Sequence, residues 1–99
     1  MPNFEIHFST DFSEYEWEIE AKGWYGDLPV TWRGKLYMLN FFDPVRLNQD
    51  LQGELEQNSI ALLLNTVIID RLTKNGITEA VSKLVNSGEL SEFKSENSN

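Results

Sequence analysis

His7 is the only histidine in the chain and stands two residues after Glu5 in "NFEIHF". An imidazole can act as a general base or a metal ligand. The base needs a partner within hydrogen-bond reach, and the metal needs further ligands. Spacing supplies neither, so His7 reads as an ordinary strand residue. No catalytic, cofactor-binding or metal-binding residue is expected. The second group able to do chemistry is the acid row Glu14, Glu16, Glu18 and Glu20 in "EYEWEIEAKGWYG". Carboxylates two positions apart on a strand could flank a cation, yet Ca²⁺ takes roughly six to eight oxygens from a shaped loop, and none is visible. A solvated acidic face is the simpler reading. "TKNG" (Thr73 to Gly76) precedes a helical pattern but lacks the glycine spacing of a phosphate loop, and reads as helix capping.

Trp24 and Tyr25, in "GWYGDLP", are the best local candidates for contact with another molecule. Two readings stand side by side. They cap one end of the core, or they anchor an interface, where Trp and Tyr dominate binding energy.

The elements that would position these groups follow from periodicity. Phe4, Ile6 and Phe8 alternate with Glu5 and His7 over Asn3 to Phe8, the period of a half-buried strand. Tyr15, Trp17, Ile19 and Ala21 alternate with the four glutamates, predicting a second strand. "GWYGDLP" carries two glycines and a proline and is expected as a connection. A third strand is expected over Val30 to Phe42, with Val30, Trp32, Leu36 and Met38 on one face and Arg33 and Lys35 on the glutamate side. Asp43 and Pro44 form a helix start, and Leu47, Leu51 and Leu55 recur on one stripe. Gly53 costs up to about 1 kcal/mol there and predicts a frayed last turn. Residues 60–72 include "LLLNTVII", apolar on both faces and ending in a β-branched run, and are expected as a buried central strand. A last helix is expected from the Thr73 cap to Gly88, with Ile77, Ala80, Val81, Leu84 and Val85 on its apolar face.

The expected fold is therefore α+β, a two-layer sandwich in which a four-stranded, mostly antiparallel sheet carries two helices on one face in the order β-β-β-α-β-α. A single domain is expected over residues 1–90, with a disordered polar tail over 91–99.

Composition limits the function. The net charge of −8, with eight Lys and Arg scattered along the chain, disfavours nucleic acid and anionic membranes. It serves solubility and is compatible with a basic protein partner. The chain has no cysteine, which removes disulfides and thiolate metal sites. No signal peptide is read at the N-terminus, and the run from Ile60 to Ile69 is far shorter than the about 20 residues a membrane span needs. A cytoplasmic address is expected. On the sheet face away from the helices, Tyr37, Leu39 and Phe41 would lie uncovered, and such a patch marks an interaction surface. Trp24, Tyr25, Tyr37, Leu39, Phe41, Glu16 and Glu18 are the expected contact residues. The leading expectation is a non-catalytic protein–protein interaction module without cofactors, dimeric, and of the inhibitor or immunity type in one form. The alternatives are a small-molecule binder or enzyme with a pocket between sheet and helices, and an accessory subunit of a larger complex.

Overall fold

The computed structural model describes residues 4–96. Its elements are β1 (Phe4–Ile6), α1 (Phe12–Lys22), β2 (Trp24–Trp32), β3 (Lys35–Phe42), α2 (Pro44–Asn58), β4 (Thr66–Ile68) and α3 (Lys74–Ser87), followed by a short 3-10 turn, Glu89–Glu92. The fold is α+β. A four-stranded sheet runs β1-β2-β3-β4, antiparallel except for the β3–β4 pair. Two helices, α1 and α3, pack on one face through Phe12, Ile19, Ile77, Val81 and Val85, against Leu28, Val30, Tyr37, Leu39 and Phe41. The expected two-layer arrangement holds, with one helix more than the expected order.

That helix is the acid-alternating stretch. Residues 12–22 are wound, with Phe12 and Ile19 turned to the core and Tyr15 and Trp17 left exposed. The alternation from 14 to 21 is real, but Glu, Ala and Lys are poor strand formers and good helix formers. The stop is Gly23, left-handed at φ 72° and donating its N–H to the Ile19 carbonyl. A Cβ there would meet the Asp43 carboxylate at 2.5 Å.

Within "GWYGDLP", Gly23 ends α1 and the residues from Trp24 onward open β2 rather than forming a connection. A register irregularity between Tyr25 and Leu28 absorbs its odd residue. Asp27 takes φ 53° there and donates its N–H to Asn40 Oδ1 at 3.0 Å.

The single strand expected over Val30 to Phe42 is two strands of a hairpin. Trp32 pairs with Lys35 across a two-residue turn whose Arg33 and Gly34 both take positive φ, 52° and 75°. That backbone matches the twist of the flanking strands. The turn reverses parity: Val30 faces Tyr37 and Leu28 faces Leu39. Tyr37, Leu39 and Phe41 therefore join the core side with Leu28, Val30 and Trp32, and all six are buried.

Asp43 caps α2 by accepting from the Arg46 N–H at 2.7 Å, with Pro44 at the first position. The helix runs past Gly53 to Asn58. Thr73 caps α3 in the same way, and Gly88 ends it. The expected central strand over 60–72 is reduced to Thr66–Ile68 at the edge of the sheet, parallel to β3, while Ile60, Leu62 and Leu64 are 63%, 79% and 69% exposed. A strand apolar on both faces needs two covering layers, and α2 swings outward without supplying one.

The chain from 91 to 96 is not the disordered tail expected. Leu90 and Ser95 are buried. Lys94 is held on both sides by the Asn65 side chain, at 2.7 and 2.9 Å, and the Glu96 N–H donates to the Leu36 carbonyl at 2.7 Å. This strap continues the β3 edge where β4 stops. The rest of the expected tail, 97–99, and Asn3 of the expected first strand lie outside the described residues. Among the described residues, no helix is long and apolar enough to cross a membrane.

Candidate interaction surface

Parity in the sheet fixes what lies on the face away from α1 and α3. Trp24, Phe42 and Ile68 are partners in a row across β2, β3 and β4. Phe42 is nearly covered, whereas Trp24 and Ile68 are 41% and 52% exposed. Leu36 and Met38 share this face and are half-buried. Here α2 leaves the sheet and the segment Ile60–Leu64 returns to it. Phe42, Leu51, Ile60, Leu62 and Leu63 line an open groove of about 920 Å³ between them, with Asp50 and Glu54 on the same lining. No residue of α2 is buried, and Leu55 is half-exposed on the stripe that also carries Leu47 and Leu51.

The expected contact residues part company. Trp24 stands at the surface with the Arg46 guanidinium over its ring at 5.9 Å. Tyr25 turns to the core side and meets Phe12 edge-on at 5.2 Å. Tyr37, Leu39 and Phe41 are core residues and offer nothing to a partner. Glu16 accepts the Lys74 N–H at 2.6 Å, so it satisfies a free donor at the start of α3. Glu18 lies on α1, half-exposed. Glu20 pairs with Arg71, and this hydrogen bond, then the charge, raises the pKa of the guanidinium. The acid row thus binds α1 to the N-terminal end of α3 in part and is not a uniform docking strip.

The residues that sequence reasoning missed are Ile60, Leu62, Leu63 and Leu64. Their signal was present: four large aliphatics around one alanine, with no charge from Ser59 to Ile69. Burial was the wrong inference from it.

Among the described residues, chemistry is possible at one other place. His7 Nε2 lies 2.7 Å from Thr31 Oγ1, and Nδ1 lies 3.6 Å from Glu5 Oε2. The order hydroxyl, imidazole, carboxylate is that of an activated nucleophile. The carboxylate is beyond hydrogen-bond distance and 74% exposed, the imidazole is 41% exposed, and all three sit on the open sheet face. A solvent-exposed contact of this kind contributes little and leaves the ring poorly fixed. Among the described residues, no three His, Cys, Asp or Glu side chains gather to hold a metal ion. The most developed feature is the apolar groove. Comparisons with protein-family models, with curated proteins and with solved structures find no match for this chain.

Proposed function

We infer that the protein is a non-catalytic interaction module whose groove between α2 and Ile60–Leu64 receives an apolar segment of a basic protein partner, as an inhibitor or immunity-type protein would. The observation that carries this reading is the exposure of Ile60, Leu62 and Leu64, at 63%, 79% and 69%, beside a helix without a buried residue. Fully burying one such side chain is worth about 1.5–3 kcal/mol, and three left in water forgo several. A partner that covered them would recover that free energy. Asp50 on the groove is paired with Arg46 at 2.9 Å, but Glu54 beside it, within a chain of net charge −8, favours Lys and Arg around the docked segment. A chain without cysteine needs no oxidising compartment, and we place its action in the cytoplasm.

The test is a photo-crosslinking amino acid at position 62, installed in the full chain in its native cell. Adducts with one basic protein are expected, and they should vanish when Leu51→Asp is added while the circular dichroism spectrum is unchanged. An unadducted chain, or adducts unaffected by Leu51→Asp, would overturn the reading.

A further inference from the structure

We propose that the open edge of β4 pairs antiparallel with β4 of a second copy, about a two-fold axis at Val67, joining two sheets into one of eight strands. This surface is distinct from the groove, and the inference goes beyond the partner reading above.

Backbone direction is the first argument. The Asn65 carbonyl accepts from Asn40 N–H at 2.8 Å, and Ile69 N–H donates to the Phe42 carbonyl at 2.9 Å. In a parallel pair, alternate residues bond to the neighbour, so Asn65, Val67 and Ile69 face β3. The amides and carbonyls of Thr66 and Ile68 then point to the open side. Strand edges pair with other chains unless charge, proline, a bulge or shortness protects them, and at three residues β4 is protected by its length alone. Here residues 59–69 contain no charged residue, no proline and no glycine, and Val67, Ile68 and Ile69 are β-branched.

Register follows from counting donors and acceptors. An axis at Val67 sets Thr66 opposite Ile68 of the other copy, and the two-fold repeats this pair. All four outward groups of each copy are then bonded. An axis at Thr66 would enlist the Leu64 carbonyl, which already accepts from Asn40 Nδ2 and Thr66 Oγ1. The Val67 axis needs no such competition.

Space is the third argument. A groove of about 650 Å³ runs along β4 beside α3, lined by Val67, Ile69, Gly76, Ala80 and Leu84. It leaves room for the second Val67 side chain beside the first, over Ala80 and Leu84. Asp70, Glu79 and Glu89 on its lining are accompanied by Arg71 and Lys83, so the chain's negative charge is not concentrated there. β4 is three residues long, Thr66–Ile68, a short edge against the about 800 Å² each partner gives a stable dimer. The dimer is therefore weak and concentration-dependent.

The test exploits a cysteine-free chain. In a non-hydrogen-bonded antiparallel pair the two Cα atoms lie about 4.5 Å apart, within disulfide reach. Under mild oxidation at high protein concentration, the full chain with Val67→Cys is expected to form a covalent dimer. Chains with Thr66→Cys, Ile68→Cys or Leu62→Cys should crosslink at least tenfold less. Light scattering of the unsubstituted chain should show mass rising towards twice the monomer with concentration. A monomer at every concentration, or crosslinking strongest at Leu62→Cys, would overturn the proposal. The latter outcome would mean that the groove, and not the edge, binds the second copy. The Leu51→Asp variant should leave the Val67→Cys crosslink intact, which separates this result from the fate of the groove reading.

Discussion

Gly76 lies in the first turn of α3, where an added Cβ would collide with the Arg71 carbonyl oxygen. Gly53 lies within α2 with nothing near the same hypothetical atom. Alanine in a helix interior normally gains about 0.5–1 kcal/mol over glycine, through lower chain entropy in the unfolded state. At Gly53 that gain should appear in full: Gly53→Ala raises the urea midpoint. At Gly76 the contact is with backbone, which cannot rotate away, so Gly76→Ala lowers it despite the better propensity. Two substitutions of one kind thus differ in sign, and equal shifts in the same direction would refute the argument. The same scale explains the acid row. Glu16 and Glu20 are spent on Lys74 and Arg71, and the alternation that made them look like a solvated strand face hides that pairing.

Asn65 shows what decides an element. Its φ of 49° suits an asparagine, which visits the left-handed region more readily than most residues. From there its side chain donates to the carbonyls of Met38 and Lys94 and accepts from the Lys94 N–H. One side chain therefore stands in for a short strand between β3 and the strap at 94–96. Asn65→Gly keeps the backbone conformation and removes all three bonds. The expected cost is about 1–3 kcal/mol by chemical denaturation. Amide exchange at Glu96 should accelerate at the same time, because its bond to Leu36 loses its brace. Unchanged protection at Glu96 would show that the strap holds without Asn65. The hairpin teaches a related lesson. Nothing in the alternation of 30–42 marks a break, yet Arg33 and Gly34 turn the chain and send Tyr37, Leu39 and Phe41 inward.

For the whole molecule, charge and exposed apolar surface oppose each other. The radius of gyration, 14.0 Å, exceeds the about 13 Å of a compact chain this size, consistent with α2 standing away from the sheet. At neutral pH the net charge of −8 keeps copies apart except at surfaces free of charge. As pH falls towards the isoelectric point near 4.5, carboxylates gain protons and that repulsion disappears. Light scattering should then rise through self-association of the groove region. Leu62→Asp should reduce the rise at pH 5, since it breaks the apolar patch without touching the core. Equal scattering by both proteins would place the association elsewhere.

Local chemistry alone settled several things. The Asp43–Pro44 and Thr73 helix starts, the Gly88 stop, the half-buried first strand and the α+β class were legible because caps and periodicity act over a few residues. The apolar excess was legible too. Its location was not, since a two-residue turn inverts which face a strand presents, and that inversion depends on left-handed backbone at Arg33 and Gly34. The helical state of residues 12–22 joins local propensity to packing: Glu, Ala and Lys favour it, and the wound chain turns both Phe12 and Ile19 to the core. Tertiary structure moved the uncovered hydrophobic surface from Tyr37, Leu39 and Phe41 to Ile60–Leu64, because a sheet face covered by α1 and α3 leaves no layer for the segment beyond α2.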